Sequence, residues 1–378
     1  MRALPELSKL KTPCYLIDEA AIKSNLEVLQ KVEQESGARI LLAQKAFSMF
    51  RLYPLMAKYL QGTTASGVNE AKLGHDLFGG ETHIFSPAFD EVTFDEVVSL
   101  CGHIVFNSFS QWERFRKKAL QAGVSCGMRI NPAHSTQEHG IYDPCAEGSR
   151  LGVTIEQFRP EMLEGLEGLH FHCLCEQDSD ALEETLHAVE EKFGKYLPQM
   201  KWVNFGGGHH ITRPGYDILR LNRLVKEFSS RYNVTVYLEP GEAVALNAGY
   251  LITSVMDVVH NTLPIAILDA SAACHMPDVM EMPYRPPLLD AGQPGEMPYT
   301  YRLAGPTCLA GDVTGDYSFD RMLATGDKLV FGDMAIYTMV KNNTFNGMNL
   351  PDILLWREDG EIEQVRRFGY EDFKMRLS

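Results

Sequence analysis

The sequence of 378 residues predicts an α/β fold, a (β/α)8 TIM-type barrel joined to a mostly antiparallel β domain. Three observations lead there. Eight short β-rich runs recur through the first two thirds of the chain, and helix-patterned segments separate them. After about residue 245 the texture changes to β-branched, Pro- and Gly-containing runs.

In chain order, "TPCYLID" reads as a strand placed before the barrel and is assigned to the β domain, which makes that domain discontinuous. The barrel strands are "RILLAQKA", "GTTAS", "THIFSPA", "HIVFNS", "CGMRINP", "GLHFHCL", "WVNFGGG" and "TVYLEPG". Their intervening helices are read from "SMFRLYPLMAKYL", "NEAKLGHDLF", "FDEVVSL", "SQWERFRKKALQAG" and "DALEETLHAVEEKFGKYL". The barrel is therefore expected over residues 20–245, close to the length of about 250 typical of the fold. Residues 1–19 and 246–378 form the β domain, with strands in "GYLITSVMDVVHN", "PIAILDASAA", "YTYRLAGPTC", "DKLVFGDM" and "DILLWRE". The polar stretch "AHSTQEHGIYDPCAEGSR" is long for a connection and is expected to cover the active site, a disordered connection being the alternative.

Composition narrows the function. A hydrophobic content of 45% supports a sizeable core, and a net charge of -15 disfavours nucleic acid as a partner. No charged leader precedes an apolar stretch, and no apolar run approaches the roughly 20 residues that span a bilayer, so the cytoplasm is the expected compartment and no membrane is involved. The eight cysteines lack CxxC spacing, which points to thiols and not to a zinc knot or a disulfide scaffold.

In such barrels the chemistry sits at the C-terminal ends of the strands. Those ends carry Lys45 on the first strand, Ser66 on the second, Arg129 and Asn131 on the fifth, and His170 and His172 on the sixth. The seventh ends in Gly206, Gly207 and Gly208 followed by His209 and His210, and the eighth in Glu239 with Gly241 beyond it. Glycines after the seventh and eighth strands let backbone N–H groups approach an anion, where barrels often bind phosphate. A lysine among apolar residues has a depressed pKa, and its neutral amine is a nucleophile toward a carbonyl. An amine, a phosphate cradle and a carboxylate together meet the needs of pyridoxal 5'-phosphate. The bland alternative for Lys45 is a stem packed on the barrel rim with its ammonium in water, and for His172 a satisfied core histidine.

His170 and His172 share a strand face, and with His209, His210 and Asp269 they offer a competing metal-hydrolase reading. Residue order argues against it, because in that pattern the HxH pair lies on the first strand and precedes the lysine. No metal is expected.

The ordered series "AQKAF", "ASGVNEAKLG", "IFSPAF", "HFHCL", "NFGGGHH", "LEPGE", "GPTC" and "MAIYT" resembles the fold type III, alanine racemase-like pyridoxal-phosphate decarboxylases, the family of ornithine and diaminopimelate decarboxylases. The likeness spans almost the whole chain and is most similar to members acting on carboxylated triamines. It implies that Lys45 holds the cofactor covalently, that His172 stacks on its ring, and that Glu239 pairs with its pyridine nitrogen. Backbone around Gly207, Gly208 and Gly241 would hold the phosphate with Tyr337. Cys175 stands where ornithine decarboxylase has a phosphate-binding serine, Arg129 matches a family arginine near the cofactor, and Ser66 is counted with these contacts. Cys308 of "GPTC" would serve the partner subunit's site as proton donor, so a homodimer with shared active sites is implied.

Two departures bear on the substrate. Glu242 replaces the arginine of the EPGR version of the motif, and Leu309 replaces an acidic residue after Cys308. Glu242, Asp269, Asp278 and Asp312 are the candidates for binding the distal ammonium groups of a carboxylated triamine. Diaminopimelate, or another basic amino acid, is the alternative substrate. A silent cofactor carrier is the third reading, and it predicts bound cofactor without release of CO2.

Overall fold

A computed structural model describes residues 2–137 and 140–378. Glu138 and His139, within the predicted covering loop, lie outside the described residues. The chain divides into two compact units, Lys23–Val244 and the pair of segments Met1–Ile22 and Ala245–Ser378.

The first unit is a closed barrel of eight parallel strands, as the sequence predicts: β2 (Arg39–Ala43), β3 (Gly62–Ala65), β4 (Glu81–Phe85), β5 (His103–Phe106), β6 (Ser125–Arg129), β7 (Gly168–His170), β8 (Trp202–Asn204) and β9 (Thr235–Leu238). Pairing of Arg39 with Tyr237 and Ile40 with Leu238 closes it. Helices at Val68–Leu77, Phe94–Leu100, Phe109–Gln121, Ser179–Phe193 and Ile218–Tyr232 form where apolar residues recur at helical spacing. The last buries Leu221, Leu224, Val225 and Phe228 on one face. It starts at Asp217, whose side chain accepts from the Arg220 N–H, and stops at Asn233, which takes the left-handed conformation at φ 54°.

The segment "SMFRLYPLMAKYL" falls short of its predicted helix. It forms a 3-10 turn at Phe50–Leu52 and a short helix at Tyr53–Met56. Pro54 lacks a backbone N–H and sits at the start of the short helix, so the turn before it does not continue as α-helix.

The base of the barrel is filled by Leu41, Val105, Trp202 and Tyr237. Room for the indole comes from two neighbouring strands without side chains. A Cβ on Gly168 would come within 2.1 Å of the Trp202 ring and one on Gly127 within 2.3 Å. We expect Gly168→Ala to destabilise the barrel by about 1–3 kcal/mol through overpacking, measured as a lower midpoint in thermal or urea unfolding.

The second unit is a mostly antiparallel sheet of β1 (Cys14–Asp18), β10 (Gly249–Asn261), β11 (Leu263–Leu268), β12 (Tyr299–Ala304), β13 (Val313–Phe319), β14 (Lys328–Phe331), β15 (Asp352–Trp356) and β16 (Ile362–Arg366). Strand order is β13-β12-β11-β10-β1-β15-β16, with β14 also paired to β10. Only the β1–β15 and β11–β12 pairings are parallel. Every residue of β1 is buried, and Cys14 and Leu16 pack with Tyr250, Ile252, Val330, Leu354 and Trp356. Each such large apolar side chain contributes roughly 1.5–3 kcal/mol on burial, which accounts for a lone N-terminal strand taking a central place.

Candidate active site

A cavity of about 220 Å³ opens among the C-terminal ends of the barrel strands, lined by Lys45, Ser66, Phe85, Arg129, His170, His172 and Glu239. Five sequence-predicted residues, Lys45, Ser66, Arg129, His172 and Glu239, thus meet around one space. Parallel strands in register deliver them, because each ends its strand or follows it by one or two residues.

The Lys45 ammonium is disfavoured by burial and then by the charge of Arg129, which lower its pKa against the opposing pull of Glu239, Glu242 and Cys175. Arg129 is pushed down to about 10 by burial and remains a cation at neutral pH. Its guanidinium lies 4.5 Å from the centre of the Phe85 ring and donates from Nη2 to the His172 carbonyl at 3.1 Å.

Glu239 is almost fully buried. Burial works against its charge, but hydrogen bonding with His170 and Asn204 outweighs that and holds the carboxyl below the usual range. Asn204 Nδ2 donates to Oε1 at 2.8 Å, and His170 Nε2 lies 3.4 Å from Oε2. Burial lowers the pKa of His170, so the ring is neutral and serves as an N–H donor. The result is a desolvated carboxylate aimed at the cavity.

His172 is kept neutral by burial and by the charges of Lys45 and Arg129. Its Nδ1 accepts the Gly207 N–H at 3.1 Å, so the ring proton resides on Nε2. Gly207 has no space for a side chain, since a Cβ would meet the Glu239 carbonyl at 2.7 Å and the His172 ring at 3.0 Å. Gly208, at φ +82°, would place a Cβ 2.1 Å from the Leu174 carbonyl. At Gly241 a Cβ would come 2.5 Å from that of Ala46. Glycine therefore lets the ends of β8 and β9 pack closely against neighbouring backbone and the His172 ring, and the N–H of Gly207, predicted to hold phosphate, is donated to His172 instead.

Ser66 is exposed and its N–H donates to Glu70 Oε2 at 2.7 Å. Cys175 is half-buried, and burial followed by the charges of Glu242 and Glu176 pushes its thiol up to about 12. It is a neutral S–H group, a weak donor, at physiological pH. Glu242 opens the short helix Glu242–Ala245 and acts electrostatically on both Lys45 and Cys175.

The remaining predicted residues belong to the sheet unit. Cys308 is exposed, and its N–H donates to Asn346 Oδ1 at 2.8 Å. Tyr337 has a φ of 52°, a strained value for a residue with a Cβ. The expectation that Asp269 and Asp312 hold distal amines is corrected by their surroundings. Asp269 accepts from Thr12 Oγ1 and Thr253 Oγ1 at 2.6 Å each and from the Ser254 N–H at 2.9 Å. Asp312 is buried and accepts from Ser271 Oγ at 2.9 Å, Thr307 Oγ1 at 2.7 Å and the Ala273 N–H at 3.2 Å. Both carboxylates are engaged by hydroxyl and amide groups of their own unit, where they tie loops to strands. Asp278 is ion-paired with Lys341, so a ligand ammonium there competes with a resident one.

Sequence reading missed Asn204 and Phe85 and gave His170 no role beside Glu239. A signal for His170 existed, since it shares a strand face with His172. The metal-hydrolase alternative does not fit, because His170 is engaged with Glu239, His172 with Gly207, and Asp269 with Thr12 and Thr253.

A parallel barrel with an amine and a buried carboxylate at its mouth, together with a mostly antiparallel sheet, defines the class of barrel enzymes that work through an aldehyde cofactor. The chain belongs to the pyridoxal-dependent decarboxylases: the family described as "Pyridoxal-dependent decarboxylase, C-terminal sheet domain" matches residues 14–335. It is 45% identical to the carboxynorspermidine/carboxyspermidine decarboxylase of Campylobacter jejuni, over 97% of this chain and 99% of that one. It is 41% identical to the carboxyaminopropylagmatine decarboxylase of Synechocystis, over 99% of this chain and 97% of that one. The crystal structure of the Campylobacter jejuni carboxynorspermidine decarboxylase complexed with norspermidine superposes with a TM-score of 0.91, covering 97% of this chain and 100% of the other. Diaminopimelate decarboxylase of Pseudomonas aeruginosa is more distant, at 28% identity over 69% of this chain and 66% of its own. Among the described residues, no helix is long and apolar enough to cross a membrane.

The residues present fit pyridoxal phosphate: a cavity bordered by a lysine of lowered pKa, a buried carboxylate and a loop where Gly207 has no room for a Cβ. Gly207→Ala is expected to raise the dissociation constant for the cofactor by about tenfold or more, because the new methyl displaces His172 or the Glu239 carbonyl. Quenching of protein fluorescence on titration with pyridoxal phosphate measures it.

Proposed function

We propose that this protein decarboxylates carboxynorspermidine, carboxyspermidine or both, yielding the triamines norspermidine and spermidine, with pyridoxal phosphate bound at Lys45. The supporting observation is the full-length likeness at 45% identity to a decarboxylase of both compounds, combined with the Lys45–Glu239 cavity. When bound, the cofactor supplies a carbonyl that captures an amine and a ring that accepts the electron pair left by departing CO2. Lys45 provides the amine that holds this carbonyl and is regenerated as product leaves. Glu239 would keep a proton on the pyridine nitrogen, and His170 and Asn204 hold its carboxylate in place. His172 would present a neutral ring to the cofactor, and Arg129 restrains the His172 backbone through its hydrogen bond to the carbonyl.

The protein works in the cytoplasm as a homodimer in which Cys308 of each subunit delivers a proton to the product carbon in the other's site. Glu242, with Asp278 as a further candidate, would favour a cationic chain over a distal carboxylate. Carboxyaminopropylagmatine is the second substrate reading, carried by the 41% identity to the Synechocystis enzyme. Its guanidinium asks for a planar, two-point carboxylate contact, whereas an ammonium takes single acceptors.

A mass-spectrometric panel of carboxynorspermidine, carboxyspermidine, carboxyaminopropylagmatine and diaminopimelate tests the assignment. The two carboxytriamines should give the highest kcat/KM. Faster turnover of the guanidino compound would favour the second reading, and release of CO2 from none of them would leave a cofactor carrier.

A further inference from the structure

The barrel carries a second cluster of ligating side chains at the opposite end from Lys45, where its strands begin. His83 on β4 and His103 on β5 are register partners on adjacent parallel strands. Their imidazoles stack with centroids 3.9 Å apart and planes 16° from parallel. Glu81, two residues before His83 on the same strand face, places Oε2 2.9 Å from His83 Nε2. One donor atom from each of the three lies within 4.8 Å of the other two.

Two features set this cluster apart from ordinary barrel packing. His83 is only 1% exposed, yet its Nδ1 has no hydrogen-bond partner, and the buried Nδ1 of His103 has none either. Buried polar atoms are seldom left so, and each one calls for an occupant or a reason. The surrounding wall orients both rings: Tyr237 lies 4.8 Å from His83, and Trp202 meets His103 edge-on at 5.5 Å. Arg39 pairs with Glu81 and holds the carboxylate in place from the far side.

We propose that Glu81, His83 and His103 bind a divalent transition-metal cation, of the zinc class, that clips β4 to β5 at the base of the barrel. Two imidazoles and a carboxylate are a donor set that suits zinc over magnesium or calcium, which prefer oxygen alone. Coordination requires the imidazoles to turn from this stacked arrangement until one nitrogen of each faces the ion. Both coordinate as neutral rings, each keeping its proton on the other nitrogen. The site is structural, since it lies at the strand ends remote from the catalytic amine.

Zinc titration of the full-length holoenzyme against a chromogenic chelator, with cobalt(II) absorption as a second probe, tests this. One ion per chain is expected, with a rise in unfolding temperature on loading. His103→Gln, at a half-buried position, and His83→Asn should each weaken binding by about tenfold or more and remove the thermal shift. His75→Ala, at an exposed histidine outside the cluster, should leave both unchanged. Circular dichroism checks that the variants fold, and the ring-proton resonances of His83 and His103 should move on zinc addition to the unaltered protein. Absence of saturable zinc binding, unmoved resonances, or unchanged affinity in folded His103→Gln would overturn the proposal.

Discussion

Replacing Lys45 by alanine should reduce CO2 release by about ten-thousandfold or more, since the amine is the nucleophile that every turnover needs. The fold should survive, because Lys45 follows the last residue of β2 and is half-buried in a cavity lining instead of wedged in the core. Two readouts separate loss of the amine from general damage. The absorption band of lysine-linked pyridoxal phosphate should vanish in the variant, while noncovalent cofactor binding through the glycine loop persists. The lowered pKa of Lys45 also sets a pH signature. The neutral amine gains population as pH rises through a value below that of free lysine, about 10.4, so the rate of covalent cofactor capture should increase through that window and level off before free lysine would titrate. A capture rate that climbs only near pH 10 or above would refute the desolvated setting.

Glu239→Gln is expected to lower kcat by about a hundredfold to a thousandfold, with a smaller change in cofactor affinity. The substitution keeps the acceptor for Asn204, because the amide oxygen can take the place of Oε1 at 2.8 Å. It sets an amide NH2 against His170 Nε2–H, two donors face to face, unless the histidine changes tautomer. What is lost is the negative charge that stabilises a proton on the pyridine nitrogen. Since the Glu239 carboxyl is held below the usual glutamate range, the carboxylate persists as pH falls past about 4.3, where an unfolded glutamate takes up its proton. Its contribution to stability is present above that value and is lost as pH falls through the lower folded one. The acid limb of kcat assigned to Glu239 should therefore lie below pH 4.3 or so and disappear in the glutamine variant. Steady-state CO2 release from about pH 2 to 10, on the wild type and both variants, measures these effects together.

Several parts of the molecule were legible before folding is considered. Eight barrel strands and most of the helices follow from apolar periodicity, which is local. The helix expected at "SMFRLYPLMAKYL" shrank because Pro54 interrupts backbone hydrogen bonding, a cue that periodicity alone overlooks. Lys45, Arg129, His172 and Glu239 were readable as residues at or just beyond strand ends, and the (β/α)8 rule turns that position into a shared mouth. Asp269 and Asp312 were misleading for the opposite reason. A carboxylate shows its charge in sequence but not its partners, and both find theirs in hydroxyl and amide groups of their own unit.

Sequence by itself determined the order of strands, the residue at each strand end and the glycines after the seventh and eighth strands, because these depend on neighbours a few positions away. Only the tertiary structure decided what those residues do to one another. Closure of the barrel sets His170 beside Glu239 across 69 positions and Asn204 beside it across 35, and it directs the Gly207 N–H onto the His172 ring. Proton positions and charge states at this mouth are set by desolvation and by hydrogen bonds between distant segments, and neither exists until the sheet has closed on itself.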